Sequence, residues 1–110
     1  MRFLIAFFFC IFSIAASAQV TGVVLIAYHS ETGNTKMMAE AVAAGASGVK
    51  GVKVVMKKVS EVSKEDLLKA DAIILGTPVH NANPAPEVLK FIDTWPFEGS
   101  PMKDKLGAVF

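Results

Sequence analysis

The sequence predicts an α/β domain of three layers, α/β/α, built on a doubly wound parallel sheet with strand order 2-1-3-4. Three observations carry that prediction. Two almost unbroken apolar runs, Val20 to Tyr28 and Ala72 to Gly76, have the composition of strands buried on both faces of a parallel sheet. Helical patterns lie between the strand-like runs, so successive strands are joined by crossovers, which are right-handed. The run Val52 to Val59 differs from the other two because Lys53, Lys57 and Lys58 interrupt it, and lysines commonly protect an exposed sheet edge. The lysine-marked strand therefore flanks the first strand on one side, the third strand flanks it on the other, and the fourth lies beside the third.

Taken in order, the first strand (VTGVVLIAY) is β-branched over most of its length. A helix follows from Thr35 to Ala46, with Met38, Ala41, Val42 and Gly45 at the i, i+3, i+4, i+7 spacing of one buried face and small residues that allow a close approach to the sheet. After the edge strand, Ser63 starts a short helix; Asp66 three residues on forms a capping-box pattern, and Leu67 and Leu68 supply apolar contacts. Pro86 to Asp93 is a third helix, with Pro86 in the first turn where its missing N–H is tolerated and Val88, Leu89 and Ile92 facing inward. Leu106 to Phe110 (LGAVF) opens a fourth strand.

Residues 1–18 read as an export signal. Arg2 is the charged start, Phe3 to Ala15 the apolar core, and Ala16-Ser17-Ala18 a small-x-small cleavage pattern. The apolar run is shorter than the roughly 20 residues of a spanning helix. Processing is therefore expected to leave a mature chain that begins at Gln19, is periplasmic or secreted, and has no stable membrane span. Arg2 has no second arginine beside it, so the route is the general secretory one and a non-covalent cofactor would join after export. The single cysteine, Cys10, falls within the signal, which leaves the mature chain without a disulfide, a thiolate metal site or a thiol nucleophile. Without Arg2, the 11 basic residues become ten lysines against 10 acidic residues, and a chain of near-zero charge lacks the basic patch that nucleic acid requires.

In an open sheet of this order, ligands bind at the carboxyl ends of the first and third strands, where the strand order reverses. The loops there are His29 to Thr35 and Thr77 to Pro84. In the first, Ser30, Thr32 and Thr35 offer hydroxyls, Gly33 permits positive φ, and the following helix begins with unpaired N–H groups. Short donors converging at a helix N-terminus suit an anion, with phosphate the natural candidate. Each charge-assisted hydrogen bond contributes about 1.5–3 kcal/mol. Lys36, in the first turn, opposes the helix dipole unless an anion lies nearby. Glu31 is expected to point to solvent. One residue suffices to cap a helix, so the set exceeds what capping needs. Neither GxxxxGK[ST] nor GxGxxG is present, no His/Asp/Glu set has metal-ligand spacing, and no Ser-His-Asp order is evident.

The stretch SETGNT, Ser30 to Thr35, resembles the [ST]xTGNT phosphate loop of the flavodoxin family. ADAIILGTPVHNANPAPEVLKFID resembles that family's third strand, flavin-contacting loop and next helix, and KDKLGAVF resembles the start of its fourth strand. The resemblance spans Gly22 to Phe110 and is nearest the flavodoxin-type NAD(P)H:quinone oxidoreductase (WrbA-like) branch. It implies a flavodoxin-like fold and FMN as cofactor, with Ser30, Thr32, Gly33, Asn34 and Thr35 on the 5′-phosphate and Thr77, Pro78, Val79, His80 and Asn81 lining the isoalloxazine ring. It implies NAD(P)H as reductant and a quinone or a redox protein as partner. His80 is the candidate catalytic residue, as a donor beside the ring; His29 is expected to end the first strand, and Trp95 to pack rather than stack on flavin. That branch often carries Gly beside the loop asparagine, whereas Ala82 stands here between Asn81 and Asn83.

Family members continue through a further ring-contacting loop and a fifth strand. The resemblance therefore implies a C-terminally truncated member that lacks the fifth strand, with self-association into a homo-oligomer as the alternative cover for its open edge. Three functional readings stay open at this level: a flavin-dependent quinone reductase, a non-enzymatic electron carrier, and a fragment that holds its cofactor weakly or not at all. Carriers of this type are commonly strongly acidic, so the near-neutral charge favours the enzyme.

Overall fold

The computed structural model describes residues 19–110, and the expected export signal at residues 1–18 lies outside the described residues. In chain order the elements are β1 (Gly22–Tyr28), α1 (Asn34–Ser47), β2 (Val52–Lys58), α2 (Lys64–Lys69), β3 (Ala72–Gly76), β4 (Val79–His80), β5 (Asn83–Pro84), α3 (Pro86–Asp93) and β6 (Leu106–Val109). The main sheet has the order β2-β1-β3-β6, which is the predicted 2-1-3-4 with β6 as the fourth strand. All its pairings are parallel: Gly22↔Val52 to Tyr28↔Lys58, Val24↔Ala72 to Tyr28↔Gly76, and Ala72↔Leu106 to Leu75↔Val109. Among the described residues, no helix is long and apolar enough to cross a membrane.

Alternation along β1 divides the core in two, because successive side chains of a strand point to opposite faces. Leu25 and Ala27 join Leu67, Ala70, Ile73, Leu75, Val88 and Phe91 in the cluster under α2 and α3. Ile26 and Tyr28 pack with Ala39 of α1, and Val24, Val42, Ala43, Ile74 and Phe110 close round them. A strand covered on both faces has no use for a polar position, which is why its sequence reads as a continuous apolar run.

Helices cover both faces of the sheet, as the three-layer prediction requires, and Val42, Leu67, Val88 and Ile92 face inward as predicted, but the rest of the inward stripes differ. In α1 the inward stripe is Ala39, which is buried, with Val42, Ala43 and Ala46 partly buried, while Met38, Ala41 and Gly45 are exposed. The observed stripe has the same i, i+3, i+4, i+7 spacing, turned by one residue. It puts small side chains against the sheet and the bulk of Met37 and Met38 outside. In α2 only Leu67 is buried and Leu68 is 41% exposed, because adjacent residues of a helix point about 100° apart and a single face takes one of them. In α3, Val88 and Phe91 are buried and Ile92 partly so, whereas Leu89 is 46% exposed. The larger Phe91 faces inward in its place and meets Trp95 edge to face at 5.7 Å between ring centroids. Trp95 packs against this core, as expected. Val59 leaves β2 one residue before the predicted strand end and starts a short 3₁₀ turn, Val59–Glu61, in which it remains buried.

A polar knot fastens α2 to β2. Ser63 Oγ accepts the Asp66 N–H (3.2 Å) and Asp66 Oδ2 accepts the Ser63 N–H (2.9 Å), so the predicted capping box is complete. Lys57 Nζ donates to the same Oδ2 at 2.8 Å. The Lys57 hydrogen bond first, and the Ser63 amide second, push the Asp66 carboxyl down from the ordinary 3.8 to about 2. A carboxyl lowered in the folded state adds stability that is fully present above pH 4 and disappears as the pH falls from about 4 to about 2. Asp66→Ala is expected to lower unfolding free energy near neutral pH by about 1–2 kcal/mol, the pair being partly screened by solvent. Denaturant titrations of the two proteins should converge over that acid interval, and a constant difference across it would contradict this account.

Candidate functional site

The chain reverses strand order between β1 and β3, and the loops that leave these strands start side by side. His29 N–H donates to the Gly76 carbonyl at 3.0 Å, and Thr77 N–H donates to the Phe110 carbonyl at 3.1 Å, so both loops emerge from paired backbone. Gly76 leaves room for a neighbouring side chain. A Cβ at that position would overlap the Phe110 ring, which packs over the end of β3.

The first loop curls onto itself before α1. Ser30 Oγ accepts the Gly33 N–H at 3.1 Å, and Gly33 takes φ 97° as the residue that caps the helix, a conformation that favours glycine. No side chain caps α1, and its first turn carries no acidic residue. The hydroxyls and amide of Thr32, Asn34 and Thr35 therefore do not satisfy the helix N-terminus, which rules out plain capping as the reason for this composition. Ser30 keeps its O–H as a donor, Thr32 and Asn34 are exposed, and Thr35 is half-buried. Unsatisfied first-turn amides, nearby hydroxyls and a first turn without acid make a fitting cradle for a phosphate.

The second loop, read from sequence as irregular, contains the antiparallel hairpin β4–β5, with Val79↔Pro84 and His80↔Asn83 paired. Asn81 and Ala82 form its tip at φ 49° and 62°. Both central residues at positive φ is the combination of a two-residue type I′ hairpin, a turn that favours Asn-Gly. Thr77 Oγ1 donates to the Pro78 carbonyl and accepts the Ala85 N–H, each at 2.9 Å, closing the base of the hairpin. Its hydroxyl thus holds the loop in shape. Pro78 is half-buried and Val79 is 72% exposed, so the hairpin shows an apolar surface; Asn81 lies exposed at its tip.

The two loops meet through Glu31. Its Oε1 lies 3.2 Å from His80 Nε2, an atom that is itself buried without an aligned hydrogen bond. Glu31 is half-exposed but does not simply point to solvent as expected. Its carboxylate stands between the loops and presents itself to His80, which leaves Nδ1 as the imidazole's other polar atom. Nor does His29 only end a strand, since its Nε2 lies 3.8 Å from Glu31 Oε1 and 3.6 Å from Glu87 Oε2 on the first turn of α3. Sequence spacing gave no sign of this cluster, because Glu87 reaches it from a different crossover. Beside it a groove of about 480 Å³, with Val59, Glu87, Lys90 and Phe91 among its walls, runs along α3 and contains none of residues 30–35.

A family profile described as a flavodoxin domain matches residues 25–103. The chain is 43% identical over 72 residues to a flavodoxin of Aquifex aeolicus (strain VF5), covering 66% of this chain and 39% of that protein. It is 36% identical over 115 residues to an NAD(P)H dehydrogenase (quinone) of Geotalea uraniireducens (strain Rf4), covering 79% of this chain and 56% of that protein. Among solved structures, the flavodoxin, WrbA-like protein from Agrobacterium tumefaciens superposes with a TM-score of 0.69 at 32% identity, over 82% of this chain and 59% of that one. The chain therefore spans about half the length of the relatives it matches.

The left-handed conformation of Ala82 has a measurable consequence. A residue with a Cβ is disfavoured there by roughly 1–2 kcal/mol, and glycine offsets part of that relief through its freer unfolded chain. Ala82→Gly is therefore expected to stabilise the protein by about 0.5–1 kcal/mol, seen as a Tm higher by a few degrees. An unchanged or lowered Tm would mean that the hairpin tip does not hold this turn in solution.

Proposed function

Because the chain belongs to the flavodoxin domain family, we propose that it binds FMN across the two loops and takes part in electron transfer from NAD(P)H to a quinone. The observation that carries the proposal is the α1 N-terminus, which is uncapped by any side chain, free of acid in its first turn and surrounded by short donors. Ser30, Thr32, Gly33, Asn34 and Thr35 would hold the phosphate. Thr77, through its two hydrogen bonds, holds the hairpin against which the ring would lie, while Pro78 and Val79 offer apolar contact and His80 and Asn81 polar edges. Bound flavin would supply the redox chemistry, which no side chain among residues 19–110 provides. The residues would bind it and orient it.

Two kinds of relative bear on the acceptor. The quinone-dehydrogenase name of one, together with the near-zero charge of residues 19–110, favours the enzyme; the flavodoxin name of the other favours a carrier that passes electrons to a redox protein. We extend the proposal to location. The pattern in residues 1–18 supports a place outside the cytoplasm, where FMN would be acquired after translocation.

Purified protein incubated with FMN and freed of excess is expected to be yellow, with shifted flavin bands. Replacing Thr32 and Thr35 together by Val should weaken FMN binding at least about tenfold, since each lost charge-assisted hydrogen bond contributes about 1.5–3 kcal/mol. A colourless wild type, or equal retention by the double variant, would defeat the cofactor assignment. With holoprotein in hand, NAD(P)H oxidation that requires added quinone is the expected activity. Electron exchange with redox proteins without quinone turnover would establish the carrier instead.

A further inference from the structure

We propose that His29, Glu31 and Glu87 form a binding site for a divalent transition-metal ion of the Zn²⁺ type, with His80 at its margin. The three residues come from separate parts of the fold: His29 follows β1, Glu31 lies in the first loop, and Glu87 stands on the first turn of α3. Nevertheless, one ligand-type atom from each falls within 4.8 Å of the others. His29 Nε2 is 3.8 Å from Glu31 Oε1 and 3.6 Å from Glu87 Oε2. Zinc bonds of roughly 2.0–2.1 Å in tetrahedral geometry set neighbouring ligand atoms about 3.3–3.4 Å apart. The His29 separations exceed that spacing by only a few tenths of an ångström.

Hydrogen bonding does not explain the arrangement. Both His29 contacts are longer than a normal hydrogen bond. Two carboxylates turned toward one imidazole repel each other unless positive charge lies among them. Among the described residues no lysine is within ion-pair distance of Glu31 or Glu87; their only charged partners are these histidines. A second observation points the same way. His80 Nε2, shielded as an atom although the side chain is 41% exposed, lies 3.2 Å from Glu31 Oε1 without an aligned hydrogen bond, so it can complete the coordination or orient the glutamate from outside. Imidazole nitrogen with carboxylate oxygen suits Zn²⁺, whereas Mg²⁺ and Ca²⁺ prefer oxygen alone. The site uses none of the α1 amides and needs no flavin.

The test is calorimetric titration of Zn²⁺ into the full chain without FMN, repeated with Co²⁺ while visible absorption is recorded. Saturable binding of one equivalent is expected, with the strong visible bands of four-coordinate Co²⁺ and no comparable heat from Mg²⁺. His29→Ala and Glu87→Gln should each weaken Zn²⁺ binding by more than about tenfold. Glu61→Gln, an exposed glutamate outside the cluster, should leave it unchanged. Circular dichroism establishes that each variant is folded, and the exposed Glu87 position supplies a test that does not disturb the core. Absence of saturable Zn²⁺ binding would overturn the proposal. Undiminished affinity in folded Glu87→Gln would overturn it equally.

Discussion

The parallel pairing of β1 with β3 is the constraint on which the rest of the molecule depends. With Tyr28 opposite Gly76, the two strands end at one level, and the His29 amide continues the ladder onto the Gly76 carbonyl. The loop with the short hydroxyl donors and the hairpin with the apolar surface therefore begin one strand spacing apart. A slip of one residue would send Leu25 and Ala27 to the α1 side and Ile26 and Tyr28 to the other. Both faces of β1 are buried, so neither face tolerates the exchange. Packing remote from the loops thus determines where the loops stand.

The local chemistry of the two loops is balanced against that rigid base. An uncapped helix start costs about 1 kcal/mol relative to a well-capped one, and here three candidate caps surround α1 without capping it. The hairpin likewise keeps Ala82 in a left-handed turn that glycine would occupy more comfortably. Strain at such positions persists where surrounding structure holds it, and it concentrates at sites of function. Thr77 provides that hold at the hairpin base, and Phe110 packed over Gly76 provides it beneath.

Charge is segregated around the same crevice. Acid is absent from the first turn of α1 and present on the neighbouring Glu31 and Glu87, each directed toward histidine. The amides and hydroxyls at the start of α1 and the carboxylate-imidazole cluster therefore lie in adjoining regions of opposite charge character. Glu31 belongs to the loop of the first and to the chemistry of the second. It links the loops through His80, so the two regions are mechanically as well as electrostatically adjacent.

The sequence by itself determined the fold class, the strand order, the place of the two loops at the β1–β3 switch point and the α2 capping box. Each of these rests on a signal local to a few residues: continuous apolar runs, lysines on an edge, a Ser and an Asp three apart. The inward stripes of the helices were only partly legible. Alanine-rich α1 offers two stripes of equal spacing, and the choice between them follows from the exclusion of Met37 and Met38 by the sheet. In α3 the selection of Phe91 over Leu89 depends on the space beside Val88 and Trp95. The β4–β5 hairpin lay hidden because Asn-Ala lacks the glycine that marks such turns. Only the tertiary structure brought His29, Glu31, His80 and Glu87 together, since no local period relates the end of one strand to the start of a helix two crossovers away, and proximity there is a property of the packed sheet.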